Sequence, residues 1–320
     1  MSKKEEAEYE EYESLKNSKF KQQKLPGWRP VPSMIRTATI FISLGIIFAG
    51  LGVLILLFSN NVEEVIKRYD NDEDCENNKI CTIEIPIKKR MKKNIFIYYQ
   101  LEGFYQNHRR YMSSKSEDQL KGNFITLTDM KKRKECDPAI TIRQMEINSD
   151  IMNKRNIKNL DGIAIPCGLM AKNYFNDSYK IWKDRSKTNE IRVNETNIAR
   201  KSDREKYKRK SIQGQENQQW IDLNDEHFLV WMRPSPLPNF TKLWGRIESD
   251  LEEGNITVEI ENNYNVKHFD GKKYLVLRTL NNFGGKNTIL YISYIVFGGI
   301  CLILGIIFIF AYKTHEKKEK

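Results

Sequence analysis

The sequence predicts a membrane protein in which two transmembrane α-helices flank one large, β-rich exoplasmic domain with an antiparallel sheet, disulfide bonds and glycans. Three observations lead to this fold class. Two long uncharged runs lie near the two ends of the 320-residue chain. Strand-like segments recur between the runs. Four cysteines and four N-glycosylation sequons all fall in that same intervening region.

The two apolar runs are long enough to cross a bilayer. The first extends from Thr37 to Phe58 and the second from Asn287 to Tyr312, both without a charged residue. About 20 apolar residues at 1.5 Å per residue span the roughly 30 Å hydrocarbon core. The first run follows a long polar segment and exceeds the roughly 7–15 residues of a signal-peptide core, which argues against cleavage. The second run lacks the polar face of a soluble core helix.

Basic residues beside both runs predict that both termini are cytosolic. They are Lys19, Lys21, Lys24, Arg29 and Arg36 before the first run, and Lys313, Lys317, Lys318 and Lys320 after the second. The predicted organisation is a cytosolic tail over 1–34, a transmembrane helix over 35–58, an exoplasmic domain over 59–286, a transmembrane helix over 287–312 and a cytosolic tail over 313–320.

The cysteines agree with an oxidising compartment. Cys75, Cys81, Cys136 and Cys167 lie in the intervening region, and Cys301 lies in the second run, where an apolar setting suits a free thiol. Three pairings of the four are open, of which Cys75 with Cys81 is the simplest local bridge and Cys136 with Cys167 its complement. A structural zinc site is disfavoured because the region contains no C-x-x-C pair.

The four sequons point to the same compartment. They begin at Asn176, Asn194, Asn239 and Asn255. An N-x-S/T sequon is an acceptor for N-linked glycans in a secreted or exoplasmic segment. The sequence therefore predicts glycosylation at these asparagines.

Four segments of the intervening region are rich in β-branched and aromatic residues and are predicted to be strands. They are Ile95–Tyr99, Phe228–Trp231, Ile256–Ile260 and Tyr274–Leu277. Residues 183–219 are nearly devoid of large apolar side chains, and burial therefore contributes little to their ordering. We expect this segment to be an excursion from the core of a single domain.

The charge of the chain does not indicate a nucleic-acid-binding protein. Its formal net charge is +11, but the basic residues are interspersed with acidic ones and accompany no zinc-finger or helix-turn-helix pattern. The basic clusters at 131–134 and 200–210 are interpreted as solvated faces, with anionic headgroups or an acidic partner surface as the alternative.

The sequence also predicts no catalytic site, cofactor or metal. Gly284-Gly285-Lys286 does not fit a phosphate-binding loop, because Asn287 stands where the Walker pattern needs Ser or Thr. His108 has a nearby Glu102 but no matched nucleophile or metal set. A transport ATPase needs a phosphorylatable Asp in a DKTGT setting, which this chain lacks.

Several motifs resemble the cell division cycle protein 50 family, also called the transmembrane protein 30 family. The most specific is Tyr98-Tyr99-Gln100-Leu101-Glu102-Gly103-Phe104-Tyr105-Gln106-Asn107-His108-Arg109-Arg110-Tyr111, hereafter the signature segment. Further matches in the same order are Phe20-Lys21-Gln22-Gln23 with Trp28, Ile165-Pro166-Cys167-Gly168, Phe175-Asn176-Asp177, Trp231 with Arg233, Phe240 with Lys242, and Gly284-Gly285-Lys286-Asn287. The match covers nearly the whole chain.

The resemblance implies a function as the non-catalytic β-subunit of a type IV P-type ATPase that moves phospholipid to the cytosolic leaflet. It also implies a Cys136–Cys167 bridge, an antiparallel ectodomain and a glycan at Asn176. The expected partners are the ATPase catalytic subunit, in a heterodimer, and membrane lipids. The expected location is the endoplasmic reticulum, Golgi, endosome or plasma membrane. The chain departs from its animal relatives near Cys75, where they usually carry four cysteines, and 183–219 has no clear counterpart.

Three groups of residues are candidates for contact with the catalytic subunit. They are Phe20, Lys21, Gln22, Gln23 and Trp28 in the tail, Arg109 and Arg110 in the signature segment, and Gly298 and Gly299 in the second span. The two arginines suit bidentate bonds to carboxylates, either inside the ectodomain or on the partner. The rival hypothesis is a two-span ion channel, which shares the predicted topology. Neither span carries the acidic residue expected of a cation filter.

Overall fold

The computed structural model describes residues 12–24, 33–77, 79–207, 218–281 and 284–319. It divides into two compact units. One contains the two long helices together with residues 12–24, of which 12–17 are helical, and the other extends from Leu56 to Asn287. The second unit corresponds to the predicted exoplasmic domain and is called the ectodomain below.

The first unit is built on α1 (Met34–Asn60) and the C-terminal helix (Thr288–Glu319). Both are long and apolar enough to cross a membrane. They pack closely where glycines leave room, as at Gly298, where an added Cβ would lie 2.7 Å from the Ala49 nitrogen. Phe41 and Phe308 stack between them with ring centroids 5.8 Å apart. The prediction of two membrane-spanning helices is confirmed.

The ectodomain contains two antiparallel sheets, which confirms the prediction of a β-rich, antiparallel domain between the two spans. The strands are β1 (Glu64–Arg68), β2 (Ile80–Ile87), β3 (Ile95–Glu102), β4 (Ser178–Trp182), β5 (Glu190–Ile191), β6 (Val193–Asn194), β7 (Phe240–Ile247), β8 (Gly254–Glu261) and β9 (Lys272–Arg278). Their orders are β1-β9-β3-β7-β6 and β2-β8-β4-β5. Alternate side chains of β3, such as Ile97 and Leu101, are buried in a core that also contains Ile83 and Ile85 of β2.

Short helices fill most of the remaining ectodomain. They are α2 (Glu73–Asn77), α3 (Arg109–Ser113), α4 (Glu117–Leu120), α5 (Leu127–Arg133), α6 (Ile142–Met145), α7 (Ser149–Lys154), α8 (Leu169–Lys172), α9 (Lys201–Lys206) and α10 (Glu226–Trp231); the C-terminal helix is α11. Local caps explain several of them. Thr141 and Gln144 form a capping box at α6, for example.

Two sequence predictions need correction. Phe228–Trp231 is helical rather than a strand, because Asp225 accepts a hydrogen bond from the His227 amide and caps the helix. Residues 183–207 are not an excursion throughout. Although β5 and β6 are only two residues each, they pair with β4 and β7, and Tyr207 is buried. Residues 208–217 lie outside the described part of the chain.

Candidate partner-binding surfaces

The signature segment forms a corner at the end of β3. Gly103 has φ of +81°, which lets the chain turn at low cost. Four hydrogen bonds then fix residues 103–107 against residues 235–239. The Gly103 amide donates to Asn239 Oδ1 (3.2 Å), and the Phe104 amide donates to the Pro238 carbonyl (3.1 Å). Asn107 Nδ2 donates to the Pro236 carbonyl (2.7 Å), and Gln106 Oε1 accepts from the Ser235 amide (2.9 Å). Residues 103–110 and 235–239 together are called the signature corner.

An aromatic cluster packs against the core side of this corner. The Phe104 ring lies 5.4 Å from Tyr111, 5.7 Å from Trp231 and 5.2 Å from Phe269, measured between centroids. Trp231 is fully buried, and its indole nitrogen donates to the Met170 carbonyl at 2.7 Å. Aromatic packing of this kind adds to the hydrophobic stabilisation of the core. The corner is therefore rigidly held.

The two signature arginines lie on the outer surface of the corner. Arg109 and Arg110 are exposed, and no carboxylate oxygen of the described residues lies within 4.0 Å of either guanidinium. Tyr105 and Leu237 are each 63% exposed on the same corner. The described part of the ectodomain thus offers no internal carboxylate for these arginines. Of the two predicted uses, contact with a partner is the one left open.

A buried ion pair lies beneath the Phe175-Asn176-Asp177 motif. Lys273 Nζ donates to Asp177 Oδ2 at 2.6 Å, and both side chains are almost completely buried. Asp177 Oδ1 also accepts the amides of Asn263 (2.7 Å) and Tyr264 (2.6 Å), and Oδ2 accepts the Tyr69 hydroxyl (2.7 Å). Burial lowers the pKa of Lys273, and the Asp177 carboxylate opposes that shift. This network joins β9 to the segments that follow β1, precede β4 and follow β8.

A second buried lysine fixes the end of α10. Lys242 of β7 donates to the carbonyls of Val230 (3.1 Å), Trp231 (3.4 Å) and Arg233. These carbonyls lie at or just beyond the C-terminus of α10, where a cation also meets the negative end of the helix dipole. Burial, with the nearby Arg233 charge, lowers the pKa of Lys242 to about 7.

The predicted cysteine pairs are both bonded. Cys75 is joined to Cys81 and Cys136 to Cys167, and Cys301 is a buried free cysteine of α11. Of the three pairings that the sequence left open, the structure therefore contains the one with the local bridge. No group of three or more potential metal ligands occurs among the residues described.

The four sequon asparagines differ in surroundings. Asn176 and Asn255 are exposed. Asn194 Nδ2, the atom that would carry a glycan, donates to Glu248 Oε1 at 2.8 Å. Asn239 is exposed and uses its Oδ1 atom as an acceptor in the signature corner. Glycan attachment at these residues stays a prediction.

The remaining contact candidates lie in the helix unit. Gly298 faces α1, as described above, whereas a Cβ at Gly299 would have no neighbouring atom within 4 Å. In the tail, Phe20 is 75% exposed, and Gln22 Nε2 donates to the Leu15 carbonyl at 3.1 Å. Lys21 and Gln23 are also exposed. Trp28 lies outside the described residues.

These features define a two-span membrane protein with a large, disulfide-bonded antiparallel ectodomain. A sequence model of the LEM3 (ligand-effect modulator 3) family / CDC50 family matches residues 3–318, and the chain belongs to this family. It is 37% identical to ALA-interacting subunit 3 of Arabidopsis thaliana, over 95% of this chain and 87% of that protein. It is 31% identical to Cell cycle control protein 50A of Bos taurus, over 91% of this chain and 87% of the other.

Proposed function

We propose that this chain is the non-catalytic β-subunit of a type IV P-type ATPase, and that the two form a heterodimer that moves phospholipid from the exoplasmic to the cytosolic leaflet. The observation that carries the proposal is the family match over nearly the whole chain. A relative's name, ALA-interacting subunit, describes a protein that binds another subunit. The absence of a DKTGT motif from the sequence agrees with an accessory role.

In the proposed topology both termini are cytosolic and the ectodomain is exoplasmic. The basic residues that flank the two helices support this orientation. The two disulfides support an oxidising compartment for the ectodomain. The complex then resides in the endoplasmic reticulum, Golgi, endosome or plasma membrane, with a glycan at Asn176.

The proposed mechanism is differential binding. A subunit that binds the folded ATPase stabilises the ATPase against unfolding. A subunit that binds one transport intermediate of the ATPase more tightly than the other intermediates raises the population of that intermediate. Both effects require only contacts. The β-subunit can therefore support folding, exit from the endoplasmic reticulum, localisation and activity of the ATPase without binding ATP.

The proposed exoplasmic contact is the signature corner. Its exposed guanidinium groups can each form two parallel hydrogen bonds to a carboxylate of an exoplasmic ATPase loop. Tyr105 and Leu237 supply apolar area beside them, and such a mixture of Arg and aromatic side chains is typical of binding hot spots. In the membrane and cytosol, the proposed contacts are the open face at Gly299 and the tail from Phe20 to Trp28.

Affinity purification of the tagged full-length chain in mild detergent, followed by mass spectrometry, tests the proposal. We expect a type IV P-type ATPase in near-equal amount. Recovery of a homo-oligomer that conducts ions and contains no ATPase would refute the proposal and support the channel hypothesis.

A further inference from the structure

The two membrane helices pack in a regular antiparallel register. Added Cβ atoms at Gly52, Gly45 and Gly305 would lie 2.6–2.7 Å from Ile295, Leu302 and Ile42, respectively. The steps of seven and then three residues toward the start of α1 are therefore matched by equal steps toward the end of α11. Because α-helices rise 1.5 Å per residue, this register can be continued to the ends of both helices.

Continued in this way, the register brings basic residues of both helices to one level. Arg36 of α1 comes about level with Ala311, and Lys313 follows two residues later. The uncharged run ends at Tyr312, but α11 continues to Glu319. Lys317 lies one helical turn beyond Lys313, on the same face of α11. Arg36, Lys313 and Lys317 are called the basic collar.

Within the described part of the chain, the collar cations have no counterion. All three residues are exposed, and none forms an ion pair with another residue that the structure describes. By contrast, the ectodomain cations Lys89 and Arg278 are paired with Glu63, at 3.2 Å, and Glu64, respectively.

The remaining charges at the collar end keep it positive. From residue 313 to 320 the sequence has four lysines against two acidic residues, Glu316 and Glu319. Unpaired Lys and Arg at the boundary of an apolar helix suit phosphate groups of the adjacent lipid headgroups, because their long side chains reach the interface while their charges stay hydrated.

We propose that the basic collar binds anionic phospholipids in the leaflet on its own side of the membrane. Each cation near an anionic surface favours binding by about fivefold. Only the assignment of this leaflet as cytosolic rests on the proposed function. The collar itself is defined by the helix register and by its unpaired charges.

The test is lipid selectivity of the full-length chain in vesicles of phosphatidylcholine, measured by electron paramagnetic resonance. The fractions of spin-labelled phosphatidylserine and of spin-labelled phosphatidylcholine that are immobilised at the protein surface are compared. We expect wild type to prefer phosphatidylserine several-fold and to lose the preference as salt is raised. The triple variant Arg36→Gln, Lys313→Gln, Lys317→Gln should associate equally with both lipids.

A matched control is Lys286→Gln, which neutralises an exposed lysine beside the other end of α11 and should keep the preference. A preference that survives in the triple variant, or that Lys286→Gln abolishes, would overturn the proposal. Competition by soluble glycerophosphoserine would also overturn it, since the site would then take a free anion rather than a bilayer lipid.

Recovery of the ATPase with each variant separates this proposal from the proposed function. We expect the triple variant to retain its ATPase. Loss of the ATPase with unchanged lipid selectivity would assign the collar to a protein partner instead. Wild type that selects phosphatidylserine but brings no ATPase would leave the collar proposal standing and refute the proposed function.

Discussion

Replacing Asp177 with Asn tests the buried ion pair of the ectodomain. The change leaves the Lys273 ammonium almost fully buried without its counterion, and the new amide nitrogen cannot accept the hydrogen bonds that the carboxylate oxygens receive. Removing one partner of a buried pair costs about 3–5 kcal/mol. In a domain of this size, 1 kcal/mol corresponds to roughly 2–4 °C. We therefore expect the ectodomain melting temperature to fall by about 6–20 °C.

The assay is thermal unfolding of the full-length chain in detergent, followed by tryptophan fluorescence and gel filtration. Lys89→Gln is the control, because it removes an ion pair whose lysine side chain is 70% exposed and should shift the melting temperature little. The double variant Asp177→Leu, Lys273→Met should recover much of the loss, since apolar replacement of both partners leaves no buried charge. An Asp177→Asn protein that melts within about 2 °C of wild type would refute the reasoning.

Three further predictions concern Lys242, the signature arginines and two sequons. Because the pKa of Lys242 is lowered to about 7 in the fold, the unfolded chain binds more protons above that pH, and this group makes stability rise from pH 7 toward 10. Melting curves of wild type and Lys242→Met between pH 7 and 9 should therefore diverge. Joint replacement of Arg109 and Arg110 by Glu should reduce ATPase co-purification at least tenfold without lowering the melting temperature, since both side chains are exposed. On denaturing gels, Asn176→Gln should lower the apparent mass by one N-linked glycan, whereas Asn194→Gln should leave the apparent mass unchanged, because Asn194 Nδ2 already donates to Glu248.

Each of these predictions has its own control or contradicting outcome. For the arginines it is the joint replacement of Lys131 and Lys132 by Glu, which reverses two exposed charges of α5 and should leave ATPase recovery unchanged. For Lys242, parallel pH dependence in the two proteins would contradict the assigned pKa direction. For the sequons, enzymatic removal of glycans should bring all variants to one mobility.

The sequence predicts some elements of the fold well because their signals are local. Uncharged length identifies both spans, and β-branched runs identify β3, β8 and β9. The run Phe228–Trp231 misleads because a short apolar segment fits a buried helix as well as a strand. The decisive signals were Asp225 before it and Pro234 after it.

The buried lysines could not be predicted from local patterns. Asp177 and Lys273 are 96 residues apart, and lysine is rarely buried unless it is paired. Lys242 belongs to one of the matched motifs, but its role depends on α10, a segment whose apolar run predicts a strand. For Gly298 and Gly299, composition could not distinguish the glycine packed on α1 from the open one, since that depends on helix rotation.

The strand order also bears on how movement passes through the ectodomain. Strand β9 pairs with β3 from Glu102–Lys272 at the signature corner to Phe96–Arg278, and Arg278 pairs in turn with Glu64 at the start of β1. The chain runs from this second end of the sheet into both membrane helices. Because backbone hydrogen bonds join β3, β9 and β1 along their lengths, a displacement of the signature corner is opposed by the whole ladder and not only by the turn at its end. The signature corner and the two segments that continue in sequence into α1 and α11 therefore lie at opposite ends of the same three hydrogen-bonded strands, β3, β9 and β1.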